Sequence, residues 1–153
     1  MKQHDTDYQT ALSLAEGICR QRDVRLTSQR RQVLQILCQQ ARPMGAYEVL
    51  DVLRQQLPSA KPVTVYRALD FLLQQGLVHR LESLNAFIGC THPQSPHDSQ
   101  FLICRDCGEV EELEDRGIDQ TLGQAVAACG FQAEDRVVEV TGRCARCCHR
   151  TQP

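Results

Sequence analysis

The sequence predicts an α+β fold in two parts, in which helices and a short hairpin precede a smaller α/β part. Three observations carry this prediction. Apolar residues recur at helical spacing up to Gly76, the period changes to two over residues 77–89, and two Cys-x-x-Cys pairs follow. The second part is too small to build a large core, so it needs an additional cross-link to be stable.

Four helices are predicted before the hairpin. Thr27 is the expected N-cap of the second, Pro62 begins the fourth, and Gly76 ends it. The apolar stripes of the four helices are Leu12, Ala15, Ile18 and Cys19; Val33, Leu34, Leu37 and Cys38; Val49, Leu50, Leu53 and Leu57; and Val65, Leu69, Leu72 and Leu73. Strands at residues 77–81 and 86–89 follow. This order predicts a winged helix-turn-helix, with the fourth helix as recognition helix and the hairpin as wing.

A linker rich in Pro and Ser spans residues 91–100. After it we expect strands at 101–103, 109–113 and 137–140, with a helix at 118–129 between the last two. The predicted domains are a winged-helix DNA-binding domain at 1–90, a hinge at 91–100, and a dimerisation and metal-binding domain at 101–153. A dimer that extends the small sheet would cover its open edge.

The two Cys-x-x-Cys pairs are separated by 36 residues. Each pair places two thiolates at a tight turn, and two such turns form the tetrahedral four-sulfur site that structural zinc prefers. Disulfides or buried core cysteines are the alternative. The predicted ligands are Cys104, Cys107, Cys144 and Cys147. Cys148 leaves open a pairing with Cys144 instead, and His149 is a possible substitute ligand.

Composition limits the remaining possibilities. There is no signal-peptide pattern and no apolar run near the ~20 residues that span a bilayer, so a soluble cytoplasmic protein without a membrane partner is expected. In that reducing compartment nine cysteines favour metal over disulfides. No constellation typical of an enzyme or a small-molecule substrate site is visible, and two pairs argue against a thioredoxin-like redox site. Core packing is predicted for Cys19, Cys38 and Cys129.

Charge favours a polyanionic partner for the first part. Residues 1–90 carry 11 basic and 8 acidic side chains, whereas residues 91–153 carry 6 and 11. The predicted contacts with double-stranded DNA are Tyr47, Lys61, Thr64, Tyr66 and Arg67, with Phe71 on the same outward face and Gln29, Arg30 and Arg31 nearby. Arg67 could donate two hydrogen bonds to guanine, while Lys61 could bind a phosphate. A winged helix used for protein contact is the alternative.

Several motifs together resemble the ferric uptake regulator (Fur) family. They are the recognition-helix segment at residues 64–69 (Thr-Val-Tyr-Arg-Ala-Leu) with Leu72 and residues 76–78, the segment Leu-Thr-Ser-Gln-Arg at 26–30, and the two cysteine pairs. Ser28 stands where Pro is common in the family. The resemblance covers residues 8–148, and it implies a homodimeric, metal-dependent transcriptional regulator with a winged helix and a dimerisation domain.

The resemblance also implies a metal-sensing site between the two domains. Its candidate ligands are His79, Cys90, His97 and Glu112, with Glu111 and His92 as alternatives to the last two. A set of one Cys, two His and one Glu suits Zn²⁺. A thiolate at Cys90 fits an iron- or peroxide-responsive regulator poorly, although that remains the alternative function. The pattern is most similar to zinc-sensing members, which implies two Zn²⁺ per chain and repression of zinc-uptake genes at a palindromic operator.

Overall fold

The first half of the chain folds into four helices and a two-stranded hairpin. The computed structural model describes residues 3–40, 42–94, 98–134 and 136–150, with side chains from residue 8 to residue 149 of these ranges. The elements are α1 (Gln3–Gln21), α2 (Ser28–Gln40), α3 (Ala46–Gln56), α4 (Pro62–Gln74), β1 (Val78–Leu81) and β2 (Ala86–Gly89). They lie in the first of two compact units, Met1–Pro96, and the second is His97–Pro153.

The helix boundaries of the first unit follow the local sequence signals. Thr27 Oγ1 accepts a hydrogen bond from the Arg30 N–H at 3.4 Å, so Thr27 caps α2 as predicted. Pro62 occupies the first turn of α4, where its missing N–H costs nothing. Gly76 has φ +66°, the left-handed conformation that follows many helix ends. The predicted beginning and end of the recognition helix are therefore confirmed.

The core of the first unit forms around α2, which contacts α1, α3 and α4. Three of the predicted stripe residues, Cys38, Leu57 and Leu73, are half-buried, and all the others are buried. Leu37, Leu53 and Leu72 have no exposed surface at all. Burial of these side chains removes apolar surface from water and provides the main stabilisation of the unit.

The hairpin is the predicted wing. Its strands pair antiparallel from Val78–Gly89 to Leu81–Ala86, and a 3-10 turn at Glu82–Leu84 joins them. Asn85 closes this turn with φ +46°. Phe87 exchanges two backbone hydrogen bonds with Met44, of 2.8 and 2.9 Å, so the wing is tied to the connection between α2 and α3.

The second unit has a three-stranded sheet in the order β4-β3-β5. Its elements are β3 (Ser99–Cys104), β4 (Val110–Leu113), α5 (Arg116–Ala128), β5 (Val137–Gly142) and α6 (Ala145–Arg150). β3 is antiparallel to β4 and parallel to β5. The parallel pair requires a crossover connection, and α5 provides it. The predicted α+β fold class, with a winged helix and a small α/β unit, is confirmed.

The outer surface of the second unit is partly apolar. No residue of α5 is fully buried. The exposed large apolar side chains among the described residues of the unit are Leu102, Ile118, Phe131, Val137 and Val140. The prediction that Cys129 packs in a core is wrong: it is exposed, because it is the C-cap residue of α5, a helix with no buried residue. Among the described residues, no helix combines the length and apolar character that crossing a membrane requires.

Candidate functional site

Four thiols converge at one end of the sheet in the second unit. Cys104 ends β3, and Cys144 follows β5 by two residues. Since β3 and β5 run parallel, their carboxyl ends meet at the same edge and bring the two Cys-x-x-Cys pairs together. The Sγ atoms of Cys104, Cys107, Cys144 and Cys147 lie within 4.8 Å of one another, and Cys107 and Cys144 are 3.8 Å apart. Tetrahedral coordination with Zn–S bonds of about 2.3 Å separates neighbouring sulfurs by about 3.8 Å, so the cluster fits zinc.

Hydrogen bonds give the thiols of this cluster different pKa values. The Cys144 N–H donates to Cys104 Sγ at 3.3 Å. This hydrogen bond, together with other backbone N–H donors, lowers the pKa of Cys104 to about 6. Contact with the Cys144 thiol, together with burial, raises the pKa of Cys147 to about 12. At neutral pH Cys104 is thus a thiolate, while Cys147 keeps its proton until a cation replaces it.

The structure brings Cys147, not Cys148, to the cluster. Cys148 and His149 are exposed, and Cys148 Sγ lies 3.7 Å from the Arg143 carbonyl oxygen. The nine cysteines all lie within the described residues, and no disulfide joins any of them. The geometry therefore favours the pairing of Cys144 with Cys147, in the Cys-x-x-Cys spacing. It disfavours the pairing of Cys144 with Cys148, which has three intervening residues.

Two of the predicted sensing residues meet on the wing. His79 lies in β1, half-buried, and Cys90 directly follows β2 and is buried. A ring nitrogen of His79 and Cys90 Sγ lie within 4.8 Å of each other. The Cys90 N–H donates to the Leu77 carbonyl at 3.0 Å, which extends the hairpin by one residue and fixes the cysteine. A nitrogen and a sulfur donor are therefore within chelating distance in the first unit.

The other predicted sensing residues belong to the second unit. Glu112 lies in β4 opposite Phe101, on the face that also carries Ile103. Glu111 points to the other face and is exposed, so alternation favours Glu112. His97 lies outside the described residues. Its alternative, His92, is exposed and has Nδ1 3.0 Å from Thr91 Oγ1.

Four of the five predicted DNA-contacting residues are exposed on the first unit, and the fifth, Thr64, is half-buried. Lys61 is the N-cap of α4, and Tyr66 and Arg67 follow within its first two turns. Tyr47 and Tyr66 are 64% and 45% exposed, unusual fractions for aromatic side chains that serve only packing. Arg54 Nε donates to the Ala60 carbonyl at 3.0 Å and so fixes the turn that leads into α4.

Comparison with known proteins decides the family. The sequence profile of the ferric uptake regulator family matches residues 21–141. The chain belongs to this family. The zinc uptake regulation protein of Escherichia coli (strain K12) is 46% identical over 143 residues, which are 93% of this chain and 84% of that protein.

Two solved structures resemble the whole chain. A zinc uptake regulator complexed with zinc and DNA has a TM-score of 0.89 at 44% identity, covering 94% of this chain and 96% of the other. The crystal structure of holo XcZur has a TM-score of 0.84 at 43% identity, covering 90% and 96%. The resemblance to the Fur family that the motifs indicate is confirmed.

Two basic residues near the start of α2 make contacts within the first unit. Phe71, predicted to face outward, is 9% exposed and lies under the Arg30 guanidinium, 3.8 Å from the ring centroid. Arg30 also donates to the Arg25 carbonyl at 2.6 Å, and Arg31 pairs with Glu16 at 2.8 Å. The Arg30 guanidinium thus packs between α2 and α4, and its predicted contact with the DNA backbone stays a prediction.

Gly89 is a site-forming residue that the sequence analysis missed. A Cβ at this position would lie 3.0 Å from Cys38 Sγ, tighter than ordinary van der Waals contact, so glycine favours the close approach of β2 to α2. The close approach sets the position of the next residue, Cys90. The available signal was a glycine directly before a candidate ligand at the end of a strand.

Proposed function

We propose that this chain is a zinc-responsive transcriptional repressor that binds a palindromic operator as a homodimer when zinc is plentiful and represses zinc-uptake genes. The observation that carries the proposal is its likeness, over almost the whole chain, to a zinc uptake regulator that binds zinc and DNA. The four-thiol cluster gives independent support, because its spacing fits zinc.

In this proposal one zinc ion is structural. Its ligands are Cys104, Cys107, Cys144 and Cys147, the four thiols whose sulfurs converge at the end of the sheet. Four sulfur ligands close the tetrahedron and leave no position for water or substrate, which is typical of structural sites. Bound there, the metal supplies the cross-link that the small second unit needs.

A second zinc ion is the sensed one, which makes two per chain. Its proposed ligands are His79, Cys90, His97 and Glu112. The convergence of His79 and Cys90 on the wing supports this set, since it offers one imidazole and one thiolate at chelating distance. The position of Glu112 on the face of β4 that includes Phe101 favours it over Glu111.

The proposed DNA contacts are Tyr47, Lys61, Thr64, Tyr66 and Arg67. The N-terminal part of α4 enters the major groove, where Arg67 reads guanine through two hydrogen bonds and Tyr66 contacts a thymine methyl or a phosphate. Lys61, just ahead of the helix, binds a phosphate and contributes to affinity but not to sequence preference.

The proposed homodimer forms through the second unit. β5 is an edge strand, and Val137 and Val140 on it are 47% and 54% exposed. Phe131, which follows α5 in the same unit, is 68% exposed. An uncovered strand edge with apolar side chains is unfavourable in water, and an isologous contact with a second copy would cover it.

In this proposal zinc controls DNA binding by increasing the population of the arrangement that can bind the operator. The sensed ion joins ligands from the wing and from the second unit, which removes freedom at the linker and fixes the separation of the two recognition helices in the dimer. Without the ion that arrangement is a minor population, and the apparent affinity for DNA falls by the same fraction.

The test combines metal content with DNA binding. Elemental analysis of the full-length wild type before and after mild chelation is expected to give two and one zinc per chain. Cys90→Ser should lack the labile ion and lose zinc-dependent binding to an operator in fluorescence anisotropy. Cys148→Ser, at an exposed cysteine outside the cluster, is the matched control. One tight zinc in all three proteins, with DNA binding that responds to iron or peroxide instead, would overturn the proposal.

A further inference from the structure

Two ion pairs join the turns that carry the two Cys-x-x-Cys pairs. The acidic partners, Asp106 and Glu109, lie within the first cysteine pair and two residues after it. The basic partners, Arg143 and Arg146, lie directly before the second cysteine pair and within it. Arg143 Nε is 3.2 Å from Asp106 Oδ2, and Arg146 Nη2 donates to Glu109 Oε2 at 2.6 Å. Both ion pairs therefore connect an acidic residue of the first turn to a basic residue of the second.

Backbone hydrogen bonds hold both partners of the shorter ion pair beside the thiols. The Cys104 N–H donates to the Glu109 carbonyl oxygen at 2.9 Å, which places Glu109 across the first turn from a thiol of the cluster. On the second turn the Cys147 N–H donates to the Cys144 carbonyl oxygen at 3.0 Å, with Arg146 between these two cysteines in sequence. The ion pair between Glu109 and Arg146 thus connects two hydrogen-bonded turns.

The Arg146 guanidinium also interacts with a thiol of the cluster. The Glu109 carboxylate, and next the Cys144 thiol, raise the pKa of Arg146, so the guanidinium stays charged. Four thiolates around one Zn²⁺ carry an excess of negative charge. A fixed cation beside one of the sulfurs reduces that excess and favours the metal-bound site.

The position of these ion pairs matters more than their strength. The Arg146 and Glu109 side chains are 74% and 48% exposed, and an exposed ion pair by itself contributes little to stability. Zinc, however, needs all four thiols together, and the two cysteine pairs come from distant segments of the chain. Contacts that hold the two turns together before metal binds reduce the conformational freedom that binding removes.

We propose that Arg146 and Glu109 form a positioning pair for the structural zinc ion, which holds the two thiol pairs at zinc-binding distance. This inference rests on the proposed function, because the cluster holds zinc only in that proposal. Residues that orient ligands without touching the metal commonly change metal affinity about 10- to 100-fold. Arg143 and Asp106 act in the same direction but more weakly, because their charged atoms are farther apart.

The test measures the affinity of the tight zinc in full-length protein by competition with a strong chelator, after mild chelation has removed the labile ion. Arg146→Ala and Glu109→Ala are each expected to weaken it about tenfold or more, and Arg143→Ala less. Arg146→Lys keeps the charge but loses the planar guanidinium, so it should weaken zinc less than Arg146→Ala. The matched control is Arg42→Ala, which breaks an exposed ion pair with Glu48 in the first unit and should change nothing.

Cobalt bound in place of zinc separates positioning from disruption of the site. At saturating Co²⁺, Arg146→Ala should show the same four-thiolate absorption spectrum as the wild type, but it should need more metal to reach it. In a double-mutant cycle, adding Glu109→Ala to Arg146→Ala should weaken the tight zinc no further, because the ion pair is already broken.

Four results would overturn the proposal. They are unchanged zinc affinity in Arg146→Ala, an altered cobalt spectrum in that variant, an undiminished effect of Glu109→Ala in its background, and an equal loss of affinity in Arg42→Ala. A wild type that holds no tight zinc overturns the proposed structural site itself, which is a distinct result.

Discussion

The first unit buries its apolar side chains in one core, whereas the second leaves many of them at its surface. In the first, Leu37, Leu53 and Leu72 have no exposed surface. In the second, α5 has no buried residue, and Phe131 is 68% exposed. Packing therefore stabilises the first unit, whereas we expect the second to need the cross-link that the proposed structural zinc would provide.

The few buried side chains of the second unit reinforce this contrast. Among the described residues of this unit, the buried apolar positions are Phe101, Ile103, Cys104 and Cys147, so two of these four are thiols of the cluster. An interior of this size gives little hydrophobic stabilisation, and a metal bound by four thiolates would replace it. We therefore expect the two units to respond differently to metal removal.

Loss of a cluster thiol should have the largest effect. Cys144→Ser is expected to abolish the tight zinc and unfold the second unit, because structural zinc contributes about 10–16 kcal/mol at pH 7. The first unit should keep its structure. Amide hydrogen exchange would show lost protection in α5 and the sheet and retained protection in α2 and α4. Cys148→Ser is the control. If Cys144→Ser retained the tight zinc, the proposed difference in how the two units are stabilised would be contradicted.

The second-largest effect is expected from the truncation of a core side chain in the first unit. Leu72 is fully buried in α4, and Leu72→Ala is expected to lower the free energy of unfolding by about 2–5 kcal/mol, with or without zinc. Leu84→Ala removes the same atoms from a side chain that is 45% exposed, so its effect should stay within about 0.5 kcal/mol. Urea unfolding of both variants measures the difference. Equal effects would show that the first unit does not depend on this core.

A change of pH should have a smaller effect than these substitutions, and the affinity for the tight zinc should change continuously with pH. Cys147, with its pKa near 12, releases a proton when zinc binds at any physiological pH. Affinity should therefore rise about tenfold or more per pH unit above pH 7, which is about 1.4 kcal/mol per unit. Below pH 6 Cys104 also becomes protonated, because its pKa is about 6, and the dependence should steepen. Chelator competition between pH 5 and pH 8 measures the slope. A flat profile would mean that the thiols are already ionised without metal.

The fold was predictable wherever one local pattern dominates. The change of period from 3.6 to 2 located the wing, and Thr27 and Gly76 marked helix ends. The convergence of the four thiols also followed from their spacing. Phe71 was placed wrongly because a residue at the border of a helix stripe faces inward or outward according to its neighbour, here Arg30, and periodicity does not reveal that neighbour.

Contacts between distant residues were beyond the sequence. Arg136 and Asp98 are neighbours only because β3 and β5 pair in parallel, and register cannot be read from either strand alone. The close approach of Gly89 to Cys38 likewise depends on how the wing packs on α2. Contacts of this kind were therefore harder to predict than residues whose chemistry identifies them.

The smallest expected effect concerns the cap of α5. The Asp115 carboxylate accepts hydrogen bonds from the N–H groups of Gly117 at 2.8 Å and Ile118 at 3.1 Å. Asp115→Ala should destabilise the helix by about 1 kcal/mol, which makes its amides exchange about fivefold faster. The corresponding change in the first unit, Glu48→Ala, removes the acceptor of the Gly45 N–H at the start of α3.

The two cap variants sharpen the comparison between the units. α3 buries Val49, Leu50 and Leu53, so packing should hold it and its exchange should change little in Glu48→Ala. α5 lacks such anchors, so its cap carries a larger share of its stability. Hydrogen exchange of both helices in both variants measures this directly. Equal acceleration in α3 and α5 would mean that packing in the first unit does not compensate for a lost cap, and the contrast between the units would fail at the level of single helices.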